Sequence, residues 1–356
     1  MTHGELWREI MWYGKFDRMP VIHWGGWPET HERWLKEGLP PDVSERNYFQ
    51  ATPHWMFISV NINLYPEFEE EVLEINGEYR VVRSKDGVVK QEWLRQSCIP
   101  HYMDFTLKTA SDWEKYKTRL KPDQARIPEN LDEKINQAEE SGLFMAVETV
   151  SLMGWIRNWM GVENMSYLMY DNPEVYEDMV NTLADLSCWA IDQIVPRMKR
   201  KPDMGFGWED ICGKSGPLVN PDFFVRYVAP GYQKIRNKLE QYGVKLLGID
   251  CDGDVEKLVE PWLDSGVNLF FPIEKGTWQA DPMLYRKKYG REMRIVGGFN
   301  KHELEKSPAA IDVEIERRLP LMKAGGFVMM PDHLITPDTP LENYKYYINR
   351  IRTLRF

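Results

Sequence analysis

The C-terminal half of the chain alternates short apolar runs with segments of helical spacing. Residues 244–250 form one such run, and Val255, Leu258, Val259, Trp262 and Leu263 then recur at the spacing that lines one helix face. Residues 267–271, 294–297 and 327–330 read as further buried strands. Helices are predicted from Asp281-Pro282, from Ser307-Pro308 and from Thr339-Pro340. The second of these carries Ile311, Ile315, Leu319 and Met322 on one face and ends at Gly325-Gly326. One strand and one helix per roughly 25–35 residues is the pattern of parallel βα units.

A capping residue precedes proline five times: Asn172-Pro173, Asn220-Pro221, Asp281-Pro282, Ser307-Pro308 and Thr339-Pro340. The cap's oxygen accepts an orphaned N–H, and proline at the first helical position loses no hydrogen bond. Upstream, residues 20–24 read as the first strand, 29–36 as a helix, 143–148 and 204–207 as strands, and 172–200 as containing a long helix. Residues 71–93 alternate and carry Asn76-Gly77 and Asp86-Gly87, which predicts antiparallel hairpins. The expected fold is a TIM (β/α)8 barrel, a single domain over 1–356. It carries an N-terminal extension and a β-hairpin insertion over 66–100 that covers the site.

Composition adds limits. A chain of 356 residues exceeds the usual single core, but α/β barrels are a standing exception. The net charge of −10 argues against nucleic acid or an anionic membrane as partner. Four cysteines, Cys98, Cys188, Cys212 and Cys251, show no CxxC spacing, so a disulfide framework is not expected. No apolar run of about 18 residues occurs, and no signal peptide is read, so the expected location is the cytoplasm.

In a βα barrel, catalysis sits where the strands' C-terminal ends converge. Trp208, Glu209 and Asp210 follow one strand, and Asp250, Cys251 and Asp252 the next. Glu274, then Asn300 and Lys301, then Asp332 and His333 follow the others. His23 and Trp24 end the first. A single acid after a strand is more often a cap or turn former. Cys251 reads as a core thiol, and the tryptophans Trp7, Trp12, Trp24, Trp27 and Trp34 read as packing rather than as a stacking platform, though Trp24 and Trp27 follow the first strand. Charged or coordinating groups at five consecutive junctions exceed that background. Glu209, Asp250, Asp252, Glu274, Lys301 and His333 are the candidate catalytic residues. His23, Trp24, Trp208, Asp210, Asn300 and Asp332 are candidates for substrate binding. Asp250, Asp252 and His333, with Glu209 as a fourth ligand, suit a divalent metal, zinc or another. Alternatively the carboxylates and Lys301 bind and protonate an organic substrate without metal.

At these junctions GIDCDGD (248–254), VNLFFPIE (267–274), GGFNK (297–301) and MPDHLITPDTPLENY (330–344) resemble the uroporphyrinogen decarboxylase superfamily, which includes cobalamin-dependent methyltransferases. A weaker likeness spans 145–159. The resemblance implies a TIM barrel and a homodimer, and it aligns His333 with the family's histidine before a Pro-Thr-Pro turn. The decarboxylases' N-terminal paired arginines are replaced by HWGGWPETHERW (23–34), and an acidic mouth repels a substrate with eight carboxylates. In the methyltransferase branch the resemblance aligns Asp250, Asp252 and His333 with a zinc site of His-x-Cys and a distant Cys, so that thiol-activating site is not preserved. The expected function is methyl transfer between a small substrate and a corrinoid carried by a partner protein. The alternatives are decarboxylation of a tetrapyrrole or smaller carboxylic acid, using Arg33, Arg157 and Arg226, and a non-catalytic ligand-binding barrel.

Overall fold

The computed structural model of the protein describes residues 1–95, 99–278 and 280–356. Cys98 lies outside the described residues. Strand β1 is Met56–Ile58. Strands β2 (Glu71–Ile75), β3 (Tyr79–Arg83), β4 (Val89–Trp93) and β5 (His101–Asp104) follow, then β6 (Met145–Glu148) and β7 (Met204–Trp208). A two-residue pair, β8 (Cys212–Gly213) and β9 (Gly216–Pro217), precedes β10 (Leu247–Asp250), β11 (Leu269–Ile273), β12 (Arg294–Phe299) and β13 (Phe327–Pro331).

Seven strands form one parallel sheet in the order β1-β6-β7-β10-β11-β12-β13. Sheet neighbours thus follow chain order, with helical connections between them, as repeated βα units require. β11 and β13 are buried at every position, the mark of strands covered on both faces. Trp55, Phe206 and Phe271 meet pairwise inside the curl, with ring centroids 4.5, 5.5 and 6.1 Å apart.

The strand expected over 20–24 is not among the described strands. The segment makes only isolated parallel bridges, Ile22 to Thr52 ahead of β1 and Gly26 to Ile335 beyond β13. Pro20 has no N–H to donate, and Gly25 leaves the extended region at φ +143°, so no ladder runs here. The sheet curls far enough for this one segment to touch both of its margins, but it holds seven strands where eight were expected.

Strands β2 to β5 form a separate four-stranded antiparallel sheet. Asn76-Gly77 and Asp86-Gly87 lie in its first two turns, and β5 continues past residue 100. Of the five cap–proline pairs, Asn220, Asp281 and Ser307 accept a first-turn N–H. Asn172 makes no such bond. At the last pair Pro340 is itself the cap, and the Leu341 N–H goes to Glu37 Oε2 at 2.6 Å. Cys188, Cys212 and Cys251 are free thiols. Among the described residues no helix is long and apolar enough to cross a membrane.

Candidate active site

The ends of β10 to β13 bring together Asp250, Asp252, Glu274, Lys301, Asp332 and His333, with Asp210 joining from the loop after β7. Asp252 is central. Its Oδ2 lies 3.2 Å from His333 Nε2, its backbone N–H donates to Asp210 Oδ1 at 3.2 Å, and its Oδ1 is buried without a hydrogen-bond partner. The next residue, Gly253, sits at φ +88°, where a Cβ would lie 2.4 Å from the Cys212 carbonyl. Only glycine fits this turn, which directs the Gly253 N–H to Glu274 Oε2 at 3.0 Å.

Glu274 is buried, takes the Trp278 indole N–H on Oε2, and pairs through Oε1 with Lys301 Nζ at 3.1 Å. Asp332, fully buried, accepts the N–H of Gly276 at 2.7 Å and of Lys301 at 3.0 Å. It therefore ties the loops after β11 and β12 together beside the Lys301 ammonium, 3.9 Å away. Aromatic rings fix the histidine. Trp27 stacks on His333 at 6.2 Å and 22°, and Trp24 meets it edge-on at 5.7 Å.

The electrostatics follow from burial and crowding. Burial, reinforced by Asp210, Asp252 and Glu274, raises Asp250 well above the usual carboxyl range. Burial and Asp252 raise Asp210, with Arg157 and His333 opposing. Burial raises Asp332, and Lys301 offsets part of the effect. For His333, burial alone would lower the imidazole. The hydrogen bond and charge of Asp252 outweigh it and leave the ring above its ordinary value. Carboxylates crowded in this way either hold protons or attract a cation.

Four of the residues expected at the mouth are engaged elsewhere. Glu209 is fully buried under the helix Gly154–Asp171, which has no side-chain cap of its own. Its carboxylate accepts the N–H groups of Leu152, Met153 and Gly154 at 2.7, 2.8 and 2.7 Å, the Ser151 hydroxyl at 2.8 Å, and the Tyr232 hydroxyl. An anion at a helix N-terminus is favoured by the unpaired N–H groups there. His23 is buried between the Tyr344 hydroxyl at 2.8 Å and Glu45 at 2.7 Å. Asn300 caps the turn after β12 through the His302 N–H. Trp208 faces a neighbouring cavity.

Among the described residues, ligand-capable atoms fall into two groups that share Asp252: Asp252 with Glu274 and His333, and Asp252 with Asp210 and Asp250. The triple Asp250, Asp252 and His333 is thus divided between them. Cys251 is buried in the wall, where desolvation and the neighbouring Cys212 push its thiol up. The donors present fit a hard divalent ion held by oxygen, with the orphaned Asp252 Oδ1 open to it, and do not fit a thiolate zinc centre. Sequence reasoning missed Trp27 and Trp278 as site residues. Trp27 lies three positions after Trp24, and that closeness was the available signal.

The family profile described as Uroporphyrinogen decarboxylase (URO-D) matches residues 150–354, more than half of the chain. The chain belongs to the URO-D family. The matched span holds every member of the strand-end cluster. Among solved structures, a methyltransferase from Methanosarcina mazei matches with a TM-score of 0.62 at 14% identity, covering 97% of this chain and 96% of that one. A B12-independent methionine synthase from Shewanella sp. W3-18-1, in complex with selenomethionine, matches with a TM-score of 0.44 at 9% identity, covering 94% of each chain. No curated protein matches the sequence. URO-D family members are enzymes, and methyltransferases are among them.

Proposed function

We propose that this URO-D family protein transfers a methyl group between a small substrate, bound at the strand ends, and a corrinoid carried by a partner protein. The observation that carries this reading is the acidic strand-end cluster with one protonatable histidine at its rim. An acidic mouth suits a neutral or cationic methyl donor and disfavours a polycarboxylate. Of the arginines that could serve a decarboxylase, Arg33 is held by Glu37 at 2.6 Å and Arg226 lies over the Tyr227 ring. Arg157 alone of the three reaches the cluster, and its guanidinium donates to the Asp210 carbonyl.

Asp210, Asp250 and Asp252 would hold a divalent cation, which when bound would supply Lewis acidity toward a substrate heteroatom that carries a lone pair, such as a hydroxyl or carboxylate oxygen. The cobalt that exchanges the methyl group belongs to the partner's corrinoid. This chain's own residues do the positioning. Asp252 Oδ2 accepts from His333 Nε2, orients the ring and favours its protonated form, in which Nδ1 carries the second proton for the heteroatom that gives up the methyl group. Lys301 is fixed between Glu274 and Asp332, which places its side-chain nitrogen among the carboxylates. Trp24 and Trp27 cover His333 and limit water at the ring. We extend the same reading to the fold: the segment bridged to both sheet margins acts as the eighth stave of a barrel.

Incubating the purified protein with a panel of methyl donors and a corrinoid protein, and following the cobalt absorbance, tests the reading. A donor-dependent spectral change supports it. No change across the panel counts against it.

A further inference from the structure

A cavity of about 320 Å³ lies beside the cluster, between the four-stranded sheet and the helix Gly154–Asp171. That volume is in the range of small-ligand sites. Trp155, Trp159 and Trp208 supply its aromatic lining, and Glu67, Glu70 and Asp86 its carboxylates. Trp155 and Trp159 stand 5.4 Å apart at 48°, so their rings make a corner. Gly154 admits the third indole, because a Cβ there would lie 2.7 Å from Trp208 Cζ3. Among the described residues the one cation in the lining, Lys85, pairs with Glu67 at 3.1 Å, which leaves the carboxylates in surplus.

The cavity adjoins the cluster at two points. Trp208 is the register partner of Asp250 across β7 and β10. Asn158, in the lining, accepts from the Arg157 guanidinium, which also donates to the Asp210 carbonyl.

Indole faces and diffuse negative charge favour one ligand class. A small hydrated metal ion gains little from indoles, and an anion is repelled. A methylated ammonium has low charge density and an apolar surface, and it is attracted by both features. We infer that this cavity recognises the cationic head of a quaternary-ammonium compound. Naming that compound as the substrate rests on the methyl-transfer reading; the binding itself does not.

The test is tryptophan fluorescence and calorimetry with three probes at constant ionic strength: choline, its neutral isostere 3,3-dimethyl-1-butanol, and glucose. Choline should quench saturably and bind about tenfold or more tighter than the isostere. The surface double variant Glu67→Gln/Glu70→Gln should weaken choline about tenfold while leaving the isostere unchanged, and Trp208→Leu should reduce both the quench and the affinity. Equal binding of choline and the isostere overturns the inference. So does a response to glucose alone, no binding of any probe, or choline binding that both variants leave intact. No corrinoid enters this assay. Choline binding with no methyl transfer to cobalt from any donor of the panel would therefore count against the functional reading and leave the cavity assignment standing, and the converse result would do the reverse.

Discussion

Replacing Glu209 separates a structural carboxylate from a catalytic one. Its two oxygens accept five donors: Oε1 takes the Leu152 N–H and the Tyr232 hydroxyl, and Oε2 takes the Met153 and Gly154 N–H groups and the Ser151 hydroxyl. In Glu209→Gln one oxygen becomes an amide NH2 that faces at least two of those donors. Each buried donor left unsatisfied costs about 1–3 kcal/mol. Burial already raises the Glu209 pKa, so removing the charge recovers part of that loss. The net destabilisation expected is about 2–4 kcal/mol, a large share of the roughly 5–15 kcal/mol that holds a typical domain folded. Urea unfolding followed by tryptophan fluorescence reads it as a lower midpoint with an unchanged slope. Ligand affinity measured well below that midpoint should match the parent protein. A variant as stable as the parent but without activity would refute the cap assignment and return Glu209 to the chemistry.

Two further outcomes follow from titration. The His333 imidazole should titrate above its ordinary value of 6.5 by NMR in metal-free protein. Its folded pKa is raised, so the stabilisation from the Asp252 pair is complete below the unfolded pKa and is lost as pH climbs through the folded one. Asp252→Asn should bring the value down, and a titration unmoved by that change would remove Asp252 as the cause. His54 behaves in the opposite sense. Burial, assisted by Arg46, lowers it to about 4 from 6.5, and its Nδ1 is buried without a partner. The unfolded chain therefore binds the proton first, and stability falls between about pH 6.5 and 4 by an amount on the order of 3 kcal/mol. His3, also lowered to about 4 by burial, adds to the same limb, so His54→Leu should make it shallower by the His54 share, and an unchanged limb would assign it to other groups.

The legible parts of the fold were those where sequence and packing state the same thing. β10 to β13 are apolar runs covered on both faces and set off by caps and glycines, and they emerge from pattern alone. β1 has only three residues, and its buried and exposed positions do not form a run, so it escaped notice. Residues 20–24 carry the composition of a strand, yet proline and Gly25 confine them to bridges. At the site, the junction rule located the carboxylates but not their direction. Glu209 and Asp210 are adjacent, yet the first turns under a neighbouring helix and the second joins the cluster. That choice depends on the uncapped start of the helix Gly154–Asp171, a feature far away in sequence. The pairing of Asp252 with His333 is likewise a contact between β10 and β13 loops that no local pattern encodes. Trp155 and Trp159 carry no local signal of a cavity, which forms only where the hairpin sheet lies opposite them.

Single-turnover kinetics tests methyl transfer at the strand-end cluster most directly. With an active donor and a corrinoid protein, stopped-flow cobalt absorbance would compare the parent with Asp250→Asn and His333→Gln. The parent should show donor-dependent transfer and each variant a loss of about a hundredfold or more, with unfolding midpoints close to the parent's. Transfer at the parental rate in both variants, or no transfer by the parent with any donor, would contradict it.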